Sequence, residues 1–308
     1  MLRIDQPHSQ FPDASPSGTQ SHLWLPHTAL TACVRAVISR DTRETALSDA
    51  QRYNHFPASP VCSIAWFFSG HCEQLEPGQP ACDTSPRKPV AALSFCGPST
   101  QPVISWNPGP VHAMMLLLLP DALAALTGID PGDYVDRVVP AAEVFDATWL
   151  AMCEAVIAAP HDEQRVQRIE DFLHPRWQRA RPDAGAVGRI YADWSQSLAL
   201  RAATSGWGRS LRQVERRIKQ WTGQPLRELR GLGRSERAFF DTVVASKSGA
   251  VDWSEIANNT GYADQSHLCR QTRRITGFPP EELRRRIFHD ESFWAYRLWG
   301  FSESHLAD

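Results

Sequence analysis

The chain has 308 residues, of which 42% are hydrophobic and 21% are charged, a composition typical of a globular protein with two domains. Its longest apolar run, residues 113 to 119, is too short to span a bilayer, and its polar start lacks the pattern of a signal peptide. We therefore expect a cytoplasmic protein without membrane contacts, in which residues 1 to 21 form a disordered leader.

The net charge of −2 is unevenly distributed. Residues 183 to 290 hold 18 Lys and Arg against 12 Asp and Glu, whereas residues 1 to 182 hold 13 against 19. Arginine outnumbers lysine 29 to 3, which suits phosphate and guanine recognition. The asymmetry indicates that the basic part binds a polyanion. A solvated surface and a biased genome composition are the alternative explanations.

The front half alternates short apolar runs with Pro, Gly and Ser, as in strands joined by tight turns. Strands are predicted at residues 33–39, 62–68, 89–95, 102–106 and 111–119. A short helix from Asp121 to the terminator Gly128 follows, and then two amphipathic helices near 146–158 and 162–177. These elements predict an α+β domain over residues 22 to 178, with a linker at 179–185. The 162–177 helix either packs on its own domain or forms a dimer contact.

Several side chains of this domain are candidates for a ligand or metal site. Six of them could line a pocket or belong to the core: Trp66, Phe67, Phe68, His71, Trp106 and His112. His55, His71 and Cys72 form a possible metal set. The seven cysteines show no C-x-x-C spacing, which favours buried thiols in a reducing compartment. Because the usual catalytic signatures are missing from the sequence, we predict no enzymatic activity, metal or cofactor.

The basic half contains two similar segments. "SLRQVERRIKQWTGQPLREL" covers residues 210–229 and "SHLCRQTRRITGFPPEEL" covers 266–283. In the first, an apolar stripe recurs at helical spacing: Leu211, Val214, Ile218 and Trp221. Three cations lie on the opposite side of that helix: Arg212, Arg216 and Lys219. Ser210 is a suitable N-cap. Two matched modules predict two matched sites on a partner.

The second segment divides in the same way. Its apolar face is predicted to contain Leu268, Thr272 and Ile275, and its polar face His267, Arg270, Gln271 and Arg274. Asp264 or Ser266 can cap the helix. Upstream, a short helix carries the small Ala257 and ends at Gly261, which can adopt a positive φ. A helix, a glycine turn and a second helix with polar N-terminal side chains make up the helix-turn-helix plan.

The stretch "EIANNTGYADQSHLCRQTRRITGFPPEELR" resembles the AraC/XylS family of bacterial transcription regulators. It matches the family's Ile-Ala-x3-Gly-aromatic-x-Asp-x-Ser frame and its closing Gly-x2-Pro. The likeness covers roughly residues 190 to 288 and includes "RSERA" at 234–238, where the family's linker helix begins. It implies an all-α domain over 183–290 with two helix-turn-helix units joined by a linker helix, and a tail at 291–308. The front half resembles the family's sensor domains.

The sequence also departs from the family. Phenylalanines usually stand at the positions of Leu268 and Thr272, and a tyrosine stands at that of Leu283. We expect a looser second unit, unless one of three aromatic side chains fills the space: Phe278, Phe288 or Trp294.

The resemblance also implies which residues contact DNA. In the first unit the base readers would be Arg212, Glu215, Arg216 and Lys219, with Ser210 beside them. In the second unit they would be Gln265, Ser266, His267 and Arg270. Arg217, Arg273 and Arg274 would contact phosphates or form ion pairs at the domain edge. The two recognition helices would enter successive major grooves, about 34 Å apart.

The function implied is a sequence-specific regulator that recruits or blocks RNA polymerase on double-stranded DNA. A small-molecule effector or an interaction of the front domain would control it, and a homodimer is possible. Two alternatives remain. The chain could be a degenerate relative that acts through protein contacts, or a DNA-targeted enzyme with a reactive cysteine.

Overall fold

A β-rich front half and a helical back half make up the computed structural model, which describes residues 1–5, 18–181, 191–204, 210–247, 249 and 251–302. The strands are β1 Leu2–Asp5, β2 Gln20–Leu25, β3 Val34–Asp41, β4 Tyr53–Phe56, β5 Cys62–Ser69, β6 Cys72–Leu75, β7 Arg87–Val90, β8 Leu93–Cys96, β9 Val103–Trp106, β10 His112–Leu118 and β11 Val138–Pro140. The helices are α1 Pro120–Thr127, α2 Ala147–Ala158, α3 Asp162–Ala180, α4 Tyr191–Thr204, α5 Leu211–Thr222, α6 Leu226–Lys247, α7 Trp253–Asn259, α8 Gln265–Thr276, α9 Pro280–His289 and α10 Trp294–Ser302. The predicted fold class is confirmed.

The strands form two antiparallel sheets. The larger has the order β1-β2-β3-β10-β5-β8-β11 and the smaller β4-β9-β6-β7. The single strand predicted at 89–95 is wrong, because the chain changes sheets there. Val90 in β7 pairs with Cys72 of the smaller sheet, whereas Leu93 in β8 pairs with Trp66 of the larger one. The apolar residues of such a run do not show which neighbouring strands they pair with.

The predicted disordered leader is wrong at its start. Residues 2–5 form the edge strand β1, in which Leu2 pairs with Leu25. Ile4 is buried in an apolar cluster, and Arg3 forms an ion pair with Glu163 at the start of α3. A four-residue strand is stable only against its neighbour, so composition alone does not predict it. Residues 6–17 of the predicted leader lie outside the described ranges.

The two faces of β10 show how the front half is layered. Met114 and Leu116 are fully buried in the main core, together with residues of α1, α2 and α3. Met115 and Leu117 alternate with them and face the other side of the sheet. The helices therefore cover one face of the larger sheet, and the other face is left for the smaller sheet and the C-terminal elements.

Helix α3 packs its apolar face on its own domain. Val166, Ile169 and Leu173 are buried in the same core as α2. This favours the first of the two roles considered for the 162–177 helix, and the homodimer stays a prediction. The linker predicted at 179–185 overlaps the last turn of α3, and most of it lies outside the described residues. Within the described ranges, no helix is both long and apolar enough to cross a membrane.

Residues 291–302 of the predicted C-terminal tail are folded. Helix α10 packs against the front half, with Trp294 and Leu298 buried beside Ile38 of β3. The Arg297 guanidinium is buried and donates to a carboxylate oxygen of Glu291 at 2.7 Å. The run "SFWAYRLWG" is apolar enough to require a covering surface, which the β-domain supplies.

Candidate nucleic-acid interface

Helices α5 and α8 have the same construction. Each has 12 residues and ends at a left-handed glycine, Gly223 with φ 73° and Gly277 with φ 88°. In both, the last threonine donates its Oγ1 hydrogen to the carbonyl four residues back: Thr222 at 2.8 Å and Thr276 at 2.8 Å. These shared ends confirm the two matched modules that the sequence predicts. They also show which residue of α5 corresponds to which residue of α8.

The second unit follows the helix-turn-helix plan over α7 and α8. Ala257 in α7 has no exposed surface and packs with Leu268 of α8. Gly261 has φ 77°, so the chain turns there between the helices. Asp264 caps α8, since its Oδ1 accepts from the His267 backbone N–H at 2.6 Å. The predicted roles of Ala257, Gly261 and Asp264 are confirmed.

The first unit consists of α4 and α5, and residues 205–209 between them lie outside the described ranges. Its recognition helix begins with Ser210 and Gln213 in a capping box. The long helix α6 begins at Leu226. This is eight residues before position 234, where the resemblance implies that the linker helix begins. Pro225 immediately precedes it, and a proline at this point favours a helix start. The linker helix thus includes "LRELRGLG" as well as "RSERA".

Most predicted DNA-contacting side chains are exposed. The exposed ones are Ser210, Arg212, Glu215, Arg216, Lys219, Gln265, Ser266, Arg270 and Arg274. His267 is half-buried, because its ring packs edge-on against Tyr262 with centroids 5.2 Å apart. Arg274 is restrained by Glu228 of α6, whose Oε2 lies 2.9 Å from its Nη1.

The predicted apolar stripe of α5 is wrong at its first residue. Leu211 is 85% exposed, whereas Ile218 is buried and Val214 and Trp221 are half-buried. Leu211 is the first residue of the helix, so its side chain points back past the helix end, away from the core. An apolar side chain is therefore left at the exposed tip of the recognition helix.

The first unit and the front domain share one hydrophobic core. Trp194 of α4 and Ile218 of α5 belong to the same buried cluster as the sheet and α1. Polar contacts reinforce this junction. Arg35 of β3 forms a buried ion pair with Glu236 of α6, with Nη2 and Oε1 2.6 Å apart. The Trp194 indole N–H donates to Asp121 of α1 at 3.0 Å.

A cavity of about 830 Å³ lies between the second unit and the front domain. Met115 and Leu117 line it from the larger sheet, and Thr272 and Leu283 line it from the second unit. The three aromatic side chains expected to fill the space at Thr272 stand in its walls: Phe278, Phe288 and Trp294. The space that the small Thr272 leaves is therefore part of the cavity.

The sequence predicts the cavity lining poorly. Of the six pocket candidates only Phe67 lines it. The others have different environments: Trp66 lies in the core, Phe68 packs under Arg165, His71 is exposed, Trp106 packs under Arg87, and His112 contacts Asp162. His55 and Tyr296, which line the cavity, were not predicted to do so, because they are 241 positions apart and no local pattern joins them.

The geometry contradicts the metal set and makes three of the buried cysteines unreactive. Among the described residues, no three His, Cys, Asp or Glu side chains are grouped to hold a metal ion, so the His55, His71 and Cys72 set is wrong. Burial raises the pKa of Cys33 and Cys62, and that of Cys72 to about 12. Such thiols are protonated at neutral pH and are poor nucleophiles.

No protein-family profile matches the chain, and neither does any curated protein. Among solved structures it is similar to an apo variant of ToxT from Vibrio cholerae strain SCE256, with 12% identity and a TM-score of 0.36, over 80% of this chain and 96% of that one. It is also similar to wild-type ToxT of that strain with a bound unsaturated fatty acid, with 13% identity and a TM-score of 0.32, over 75% and 93%. A likeness this weak identifies neither the family nor the function.

Proposed function

We propose that the protein is a DNA-binding transcription regulator of the AraC type, in which α5 and α8 enter successive major grooves. One observation carries the proposal: two helices of equal length with matching C-terminal ends each present cations on an exposed face. Within the described residues, Arg212, Arg216 and Arg270 have no carboxylate partner, although arginines elsewhere in this chain are commonly paired. Unpaired arginines on a recognition helix are suited to guanine edges and phosphates.

The other predicted readers fit the same interface. Glu215 can accept a hydrogen bond from cytosine, and Gln265 can bind adenine with both of its amide atoms. Lys219, Ser266 and His267 complete the proposed reading surface, and Ser210 lies beside it at the helix start. The N-terminal ends of recognition helices are the parts that contact base edges. RNA polymerase is the proposed protein partner, which the bound regulator recruits or blocks.

The cavity gives the proposed regulation a physical basis. It opens between the front domain and the second unit, and Leu268 and Thr272 of α8 form part of its wall. Its volume is within the range of small-molecule sites. A ligand there contacts the recognition helix and the sheet at once, so its binding energy can favour one orientation of α8 over another. We therefore propose a small-molecule effector.

The test is selection of bound duplexes from a random DNA pool, followed by affinity measurements at several salt concentrations. We expect enrichment of a defined sequence and a steep loss of affinity as salt rises. Arg212→Ala and Arg270→Ala should each weaken binding to that sequence by about 1 to 3 kcal/mol. Arg285→Ala is the matched control, since Arg285 is exposed on α9, outside the two proposed reading helices. Unchanged affinity of both reader variants contradicts the assignment.

One observation favours a second candidate, the degenerate relative that acts by protein contacts. Thr272 leaves the core of the second unit open to the cavity, so α8 is held less firmly than a phenylalanine there would hold it. Weak binding that is indifferent to sequence in the selection experiment supports this candidate over the regulator. The enzyme alternative requires a reactive thiol, and alkylation of the chain during turnover is its test.

A further inference from the structure

Two polar side chains of the cavity wall are buried, and one of them has no hydrogen-bond partner among the described residues. Tyr296 of α10 is 6% exposed, and its hydroxyl has none among the described residues. His55 of β4 is 5% exposed, with its ring stacked on Phe293 at 4.4 Å and edge-on to Phe278 at 5.7 Å. A buried polar group without a partner costs free energy, and a bound molecule can recover it.

Both groups are uncharged at neutral pH. Burial raises the pKa of Tyr296, so its hydroxyl stays a hydrogen-bond donor. Burial, and to a smaller extent the charge of Arg286, lowers the pKa of His55 to about 4, so its imidazole is neutral. A neutral imidazole has one donor and one acceptor nitrogen. The two groups therefore suit a ligand that exchanges neutral hydrogen bonds.

Three of the four arginines of the cavity wall already form ion pairs, although the Arg40 Nε has no hydrogen-bond partner among the described residues. Arg40 forms an ion pair with Glu291 at 3.0 Å, and Arg284 forms one with Glu281 at 2.6 Å. Arg286 lies 2.9 Å from Glu282 and 3.1 Å from Asp290. The remaining lining arginine, Arg137, is exposed and donates to the backbone carbonyl of Asp133 at 2.9 Å.

A carboxylate entering this site would lose its hydration without gaining a free buried cation. The transfer of an unpaired charge into a protein interior is strongly unfavourable. The rest of the wall is largely apolar: Phe67, Met115, Leu117, Phe239, Leu268 and Ile287. The site therefore discriminates against acids and favours apolar molecules that carry a neutral polar group.

We propose that the cavity binds a neutral, mainly apolar molecule whose hydrogen-bond acceptor, such as a ketone, ester or ether oxygen, is held by the Tyr296 hydroxyl. The proposal rests on the effector site proposed above and specifies its ligand class. His55 of the front domain faces the same space as Tyr296, which follows the DNA-binding domain. A molecule bound to both would bridge the two halves of the chain.

The experiment uses the full chain without DNA and three probes on one ring system: 2-acetylnaphthalene, naphthalene and 2-naphthoate. Binding is measured by calorimetry at pH 7. We expect the ketone to bind at least tenfold more tightly than the carboxylate. Tyr296→Phe should weaken ketone binding about fivefold to tenfold, the loss of one neutral hydrogen bond, and leave naphthalene binding unchanged.

Tyr53→Phe is the matched control, since the Tyr53 hydroxyl accepts from Arg87 at 2.7 Å outside the cavity. Retained naphthalene binding shows that the Tyr296 variant is folded. Carboxylate binding as tight as ketone binding overturns the proposed ligand class. Equal losses for ketone and naphthalene, or no loss, overturn the role of Tyr296, and no binding of either neutral probe overturns the site. Because no DNA is present, these failures are distinguishable from a failure of DNA recognition.

Discussion

Adjacent arginines at the end of α8 have different environments. The matching glycines and threonines align Arg273 with Lys219 of the first unit and Arg274 with Gln220. Arg274 is held by Glu228, and its Nε also donates to Gln271 at 3.1 Å. Arg273 is exposed and has no partner among the described residues. The register and the contacts together make Arg273 the better candidate for DNA.

We therefore expect Arg273→Ala to weaken DNA binding about tenfold. It should also make the slope of log affinity against log salt shallower by about 1, which corresponds to the loss of one phosphate contact. Arg274→Ala should change DNA affinity less than about twofold, and its loss of an exposed ion pair should lower stability by at most about 1 kcal/mol. The measurement is the slope of log affinity against log salt for both variants on one selected site. A larger loss for Arg274→Ala than for Arg273→Ala contradicts this assignment.

Sequence reasoning succeeds for residues whose role depends on a local period and fails for those whose role depends on the fold. Arg212 and Arg216 are exposed, as helical spacing predicts, and Ile218 is buried. Leu211 fits the same apolar period but lies at the helix end, where no core remains to cover it. Tyr296 reaches the cavity only because α10 packs on a sheet formed early in the chain.

At the scale of elements, the C-terminal glycines of α5 and α8 have the same backbone but different neighbours. A Cβ on Gly223 would lie 3.0 Å from the Gly132 Cα and 3.0 Å from the Val135 Cγ2, both in the front domain. A Cβ on Gly277 would lie 3.8 Å from the Pro102 Cγ, its single neighbour within 4 Å in the described part of the chain. The end of α5 is thus packed against the front domain, and the end of α8 has space around it.

Gly277→Ala should destabilise the protein by about 1 to 2 kcal/mol, the cost of placing an L-residue in the left-handed region. Gly223→Ala has the same cost and also pushes the end of α5 away from Gly132 and Val135. We therefore expect a clearly larger loss of stability for this variant. Chemical denaturation of both variants measures the difference, and Gly128→Ala in α1 is a further reference, with φ 75° and open space around the position. Equal losses of stability for Gly223→Ala and Gly277→Ala would show that the contact with Gly132 does not contribute to stability.

Elements whose sequence signals lie within their own segment are predicted well. Elements that form only against distant parts of the chain are not. Helices α5 and α8 carry caps, periodicity and a terminating glycine within a short segment. The edge strand β1 and helix α10 each require a surface formed elsewhere in the chain, so composition predicts a leader at β1, and no local pattern predicts where α10 packs. The split of 89–95 into β7 and β8 likewise depends on which strands pair.

At the scale of the whole molecule, the two helix-turn-helix units are attached to the front domain differently. The first shares a continuous core with it. Among the described residues, the second borders the cavity and touches the front domain through the hydrogen bond from the Ala58 N–H to the Ile275 carbonyl, at 2.7 Å, and through a small apolar cluster around the same two residues. Occupation of the cavity can therefore alter the placement of α8 while α5 keeps its position. Under the proposed function, an effector changes the spacing between two reading helices and leaves the first one fixed.

The buried ion pair between Arg35 and Glu236 is the main polar connection in this arrangement. Glu236 also accepts from the Tyr191 backbone N–H at 2.6 Å, and the Arg35 guanidinium lies over the rings of Tyr191 and Trp299, at 5.1 Å and 4.4 Å. The pair therefore joins β3 to α4, α6 and α10. Removal of one partner leaves the other charge buried and alone.

Arg35→Met and Glu236→Leu should each lower the free energy of unfolding by about 3 to 5 kcal/mol. The double variant should lose less unfolding free energy than the two single variants together, because neither charge is then left uncompensated. The expected coupling energy between the two residues is about 1 to 3 kcal/mol. Denaturant unfolding of the four proteins completes the cycle. The more exposed pair Arg284 and Glu281 is the matched control, for which coupling below about 1 kcal/mol is expected. Additive losses at Arg35 and Glu236 would show that the halves are held together by apolar packing, with the ion pair contributing little to their attachment.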